Sequence, residues 1–99
     1  IYHHHIFYLN FDLVTNLHIR GHEETHALDA FDSIDLLEEQ FRLKGFKIKL
    51  NKIRNEEVVA HIGGIYALLR NNHPISRLND TYDTPDYHRA KRIVEKSLI

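Results

Sequence analysis

Ile6-Phe7-Tyr8-Leu9-Asn10-Phe11-Asp12-Leu13-Val14 is the stretch on which the fold class turns. Phe7, Leu9, Phe11 and Leu13 fall on one side of an alternating pattern, and Tyr8, Asn10 and Asp12 fall on the other. A period of two rich in aromatics reads as a strand covered on one face. Thr15-Asn16 ends the pattern. Leu17-His18-Ile19 either continues the strand or returns as a short hairpin arm before Gly21 interrupts the chain.

Downstream, Glu23 to Lys44 reads as the longest helix. Ala27, Ala30, Phe31, Ile34, Leu37 and Phe41 recur at three- and four-residue steps as one apolar stripe, and Gly45 is placed to stop it. Phe46, Ile48 and Leu50 then alternate with Lys47, Lys49 and Asn51, a second strand with a basic outer face. Asn55 is placed to cap a second helix, Glu56 to Leu69, which carries Gly63-Gly64 in its middle. Each glycine there costs about 1 kcal/mol relative to alanine, so the pair implies close approach of another backbone, from this chain or from a copy of it. A polar loop from Asn71 to Asp83 leads to Thr84-Pro85, an N-cap followed by proline at the first helical position. The third helix then runs to about Leu98, with Tyr87, Ala90, Val94 and Leu98 inward.

The order strand, helix, strand, helix, loop, helix predicts a small two-layer α+β domain spanning residues 1–99, with a right-handed parallel crossover between the two strands. Two strands do not make an independent sheet. A third strand from Leu17–His22 or Ile75–Tyr82, or a strand from a partner chain, is expected to complete it.

At 99 residues, 42% hydrophobic and 27% charged, the composition excludes the disordered, collagen-like and membrane classes. No run approaches the ~18 apolar residues of a spanning helix. With no signal peptide and no cysteine, the expected location is the cytoplasm, and disulfides and thiolate metal sites are excluded. The chain opens at Ile1 and has no methionine, which reads either as a processed product or as a fragment with residues missing before Ile1. Net charge is −1, but unevenly spread: residues 1–39 hold one basic and eight acidic side chains, and residues 40–99 hold twelve basic and six acidic. Such a split implies either acidic and basic faces that meet within the fold or head-to-tail contact between copies.

Nine histidines carry the candidate chemistry. His3 and His5 project to the same side of the first strand, a spacing that lets two imidazoles share one metal ion, unless His3-His4-His5 is the remnant of an expression tag. The last helix opens with Tyr87-His88-Arg89-Ala90-Lys91. A histidine pair on a strand with a Y-x-x-x-K helix resembles the HUH endonucleases, which act on single-stranded DNA. By that resemblance His3 and His5 hold magnesium or manganese, Tyr87 attacks the scissile phosphate and Lys91 assists.

His22-Glu23-Glu24-Thr25-His26 matches H-E-x-x-H and resembles the zincin metallopeptidases. Two histidines at i, i+4 on one helical face bind zinc and the glutamate activates water, with Glu38 or Glu39 available as a third ligand. The basic run Arg42, Lys44, Lys47, Lys49, Lys52 and Arg54 forms a strip able to contact phosphates or an acidic partner surface. Without a full catalytic set, the leading expectation is a non-enzymatic interaction or regulatory module, acting as a homodimer or as a subunit of a larger assembly. The metal-dependent nuclease and the zinc protein are the alternatives.

Overall fold

A computed structural model describes residues 11–75 and 77–99. Among those residues there are four helices, α1 (Leu13–Ala30), α2 (Asp35–Leu43), α3 (Glu56–Arg70) and α4 (Pro85–Lys96), and one 3-10 turn at Leu50–Lys52. The α+β expectation is overturned. Among the described residues there is no sheet, and strand-like pairing is limited to one antiparallel bridge between Phe46 and Leu98.

Local chemistry explains each departure. Asp12 is an N-cap, its carboxylate accepting from the Thr15 N–H at 2.7 Å, so Leu13 to Ile19 wind into helix instead of extending a strand. The start of the expected first strand, residues 6–10, lies outside the described residues, as do His3 and His5. Gly21, read as a break, sits in the middle of α1. The single helix expected over Glu23–Lys44 is two helices. Asp32 adopts a left-handed φ of 54°, and Asp32 N–H and Ser33 N–H bond back to Asp29 O and Leu28 O, a Schellman stop. The apolar spacing runs on across that stop, so Phe31, expected inside, is 82% exposed.

The second strand keeps its alternation but not its sheet. Ile48 and Leu50 are buried and Lys47 and Lys49 exposed. Yet among the described residues the segment's backbone pairs with the C-terminal tail, through Lys47 N–H to Ser97 O and Ile99 N–H to Gly45 O, and forms no sheet. Glu38 fastens it to α2 by accepting from the Leu50 and Asn51 N–H groups.

Three expectations hold. Gly45 ends α2 at φ 90°, with Phe46 N–H bonded to Phe41 O and the two rings packed edge-on at 5.8 Å. Asn55 caps α3 through Glu57 N–H and Val58 N–H. Thr84 caps α4 with Pro85 at its start.

The core gathers Phe41, Leu50, Val58, Ile62, Ile65, Tyr87 and Val94 around α3, of which eleven residues are buried. Some of the opposite charges meet within the chain: Asp35, Glu38 and Glu39 share one open cleft with Arg42, Lys47 and Lys49. No described helix is long and apolar enough to cross a membrane.

Candidate metal centre

The site begins with three glycines. Along α1 from His18 to His26 the neighbours on α3 run from Gly64 back to Glu57, so the two helices are antiparallel. A Cβ on Gly21 would lie 2.6 Å from Gly63 O, and one on Gly64 would lie 2.6 Å from the His18 ring. The three glycines leave no room for a Cβ, and the His18 ring and the Thr25 side chain lie against Gly64 and Gly63. The close approach anticipated from Gly63-Gly64 is therefore real, and its partner is α1 of the same chain.

That proximity brings two four-residue ladders face to face. His18, His22 and His26 descend α1, and Glu57 and His61 descend α3. His22 Nε2 lies 3.0 Å from Glu57 Oε1, and His26 Nε2 lies 3.0 Å from Glu57 Oε2. One carboxylate thus spans two imidazoles, and one ligand atom from each of His22, His26 and Glu57 falls within 4.8 Å of the others. Tetrahedral zinc with ligands at about 2.0–2.1 Å requires its donors about 3.3–3.4 Å apart. The two nitrogen–oxygen pairs at 3.0 Å are within a few tenths of an ångström of that spacing, and the three ligand atoms together lie within 4.8 Å. His22 is buried, His26 half-buried and Glu57 exposed, so the group opens to solvent at the Glu57 end.

Burial lowers His22 more than Glu57 raises it, so His22 is neutral at pH 7 and its contact with Glu57 is a charge-assisted hydrogen bond, not a full ion pair. Partial burial would raise the Glu57 carboxyl, but the charge and hydrogen bond of His22, with His26 and His61, outweigh it and leave Glu57 below its ordinary range. Neutral imidazole and ionised carboxylate are the forms that ligate metals.

Behind the trio is a dry layer. His18 Nε2 and His61 Nδ1 share a 2.9 Å hydrogen bond, and His61 Nε2 approaches the Thr84 hydroxyl at 3.4 Å. Burial, then His61 and His22, pushes His18 down to about 2. Burial and His22 push His61 down to about 4 against the pull of Glu57. The Tyr82 ring lies edge-on to His18, His22 and His61 at 5.6, 5.7 and 5.4 Å. Its loop is held over α1 by Asn79 N–H donating to Thr15 Oγ1.

The sequence-derived candidates separate clearly. His22 and His26 are brought together, with H-E-x-x-H inside α1 and not on its first turn as expected. The third partner is Glu57. Glu38 instead binds backbone N–H groups, and Glu39 pairs with Arg42. Tyr87 is 1% exposed in the core, its phenol pushed up to about 12 by burial and then by Asp83 and Glu95. Lys91 follows one turn later, partly buried. Arg42, Lys44, Lys47, Lys49, Lys52 and Arg54 are all exposed. His18, Glu57 and His61 were missed as a set. Their signal was the four-residue step itself, H-x3-H-x3-H in one helix facing E-x3-H in another.

Comparison with protein-family models, curated proteins and solved structures finds no match for this chain.

Proposed function

We propose that this chain is a divalent-metal-binding protein whose ion, of the zinc class, is held between α1 and α3 by His22 Nε2, His26 Nε2 and the Glu57 carboxylate. The supporting observation is the convergence of two neutral-capable imidazoles from one helix on a single carboxylate from another, each at 3.0 Å. Two nitrogens and one oxygen suit zinc and its transition-metal neighbours and not magnesium, which favours all-oxygen shells. Three protein ligands with a solvent-facing side are the arrangement of a catalytic zinc site, whereas structural zinc sites are closed by a fourth. Bound there, the metal supplies Lewis acidity. Glu23, exposed and adjacent to His22, is the carboxylate that the H-E-x-x-H pattern assigns to proton transfer.

The glycine pair packs on α1 and acidic and basic side chains share a cleft, and association as a homodimer or as a subunit of a larger assembly stands as a second proposal beside metal binding.

Competition with a chromophoric chelator tests the reading. One zinc equivalent should bind, and Glu57→Gln or His26→Asn should weaken it by more than about 100-fold, beyond the loss typical of an outer-shell change. His73→Asn, away from the site, should not weaken it. Absence of binding, or full affinity in Glu57→Gln, would overturn the proposal.

A further inference from the structure

We infer that the metal centre acts as a clasp, its occupancy deciding whether α1 stays docked on the rest of the fold. This rests on the metal-binding reading above and adds what binding does.

Among the described residues, α3 is the one helix against which α1 packs extensively. The α1 face turned inward is Thr15, His18, Ile19, Gly21, His22 and Thr25, with a single aliphatic side chain. The main hydrophobic cluster draws its buried members from α2, α3, α4 and their connections, with Val14 and Leu28 of α1 packed at its edge and Ile19 of α1 buried outside it. A helix docked through histidine, threonine and glycine gains little from apolar burial. Docking also places His18 Nδ1 and His22 Nδ1 out of water with no hydrogen-bond partner, which opposes it. The polar ties across the seam without metal include the His22 and His26 contacts with Glu57, the His18–His61 bond and the Asn79 to Thr15 bond, with the Tyr82 ring beside them.

The metal ligands are divided across this same seam, two on α1 and one on α3. A detached α1 still offers His22 and His26 but loses Glu57, so the docked form binds metal more tightly and metal must favour docking. If the detached form does not bind, an ion at 100 times its dissociation constant raises the docked-to-detached ratio by about 100-fold. Detachment bares the glycine face of α3, Gly63, Gly64 and the neighbouring Ala67, while α2, α3 and α4 keep their shared core.

Hydrogen exchange by mass spectrometry on the full chain, in zinc chloride and in EDTA, tests this. Zinc should slow exchange of amides in 13–30 by about 10-fold or more, leaving those of 85–96 unchanged. Glu57→Gln in zinc should exchange like the wild type in EDTA, with 85–96 still protected. Zinc binding measured by chelator competition but with no change in α1, or with equal slowing in every helix, overturns the clasp and leaves the site standing. No zinc binding in that competition overturns both.

Discussion

Replacing Gly21 by alanine separates a close helix seam from an ordinary one by the sign of its effect. On an unpacked helix surface the change stabilises by about 1 kcal/mol, because alanine is the better helix former. Here the new methyl would lie 2.6 Å from Gly63 O, 2.7 Å from Ala67 Cβ and 2.9 Å from Gly64 Cα. Comfortable separations are about 3.5–4.0 Å, and two of these neighbours are backbone atoms with no rotamer to change. The helices must part by roughly 1 Å, an overpacking that costs about 1–3 kcal/mol. The propensity gain offsets about 1 kcal/mol of that, leaving a net loss of up to about 2 kcal/mol. At about 4–8 °C per kcal/mol, Tm should fall by up to about 15 °C.

The same displacement moves Glu57 away from His22 and His26, so zinc affinity should drop by about 10-fold or more, a loss comparable to disturbing a ligand's support. Gly45→Ala is the reference: at φ 90° with nothing within 4 Å of the new Cβ, it should lower stability by about 1 kcal/mol through backbone strain alone and leave zinc affinity intact. Calorimetry and chelator competition measure both quantities. A Tm raised by Gly21→Ala, with zinc affinity unchanged, would refute the seam.

Acid should destabilise the fold earlier than its carboxylates alone would. His18 at about 2 and His61 at about 4 both lie below their unfolded value of 6.5, so the unfolded chain binds more protons in between. Their stabilising neutrality is fully present above pH 6.5 and is lost as pH falls, by about 1.4 kcal/mol per pH unit for each imidazole. Urea midpoints in EDTA that are equal at pH 7.5 and pH 5.0 would contradict this. Asp32→Gly should stabilise by about 0.5–1 kcal/mol, since Asp32 holds a left-handed φ of 54° and its side chain has no partner among the described residues. A lower urea midpoint for that variant would show that the aspartate contributes something other than backbone shape.

Where the chain's punctuation is carried by one residue's own chemistry, it was legible. Asn55, Thr84-Pro85 and Gly45 mark helix ends as expected, because capping and left-handed turns are settled within four residues. Periodicity was sound for Tyr87, Ala90 and Val94, which are buried as expected, but it misled at two places before α3. Alternation from Phe7 to Leu13 resembles a strand, yet the Asp12 cap directs the chain into helix at Leu13. The apolar stripe from Ala27 to Phe41 looks continuous because a Schellman turn happens to preserve its spacing. The inward face of α1 escaped notice for the opposite reason: it has helical period, but in histidine and threonine, which count as polar until a neighbour buries them.

Much of the site was therefore present in the sequence as fragments. H-E-x-x-H could be read from spacing alone, because i, i+4 places both imidazoles on one face of any helix. Gly63-Gly64 could be read as a demand for close packing, because only a backbone neighbour rewards two glycines inside a helix. The sequence by itself could not choose among Glu38, Glu39 and Glu57 for the third position. Glu57 lies thirty-one residues beyond His26. It meets both histidines only because α1 and α3 run antiparallel with glycine at their crossing. Tertiary packing made that choice: it set the helix separation, and the separation decides which carboxylate reaches the imidazoles.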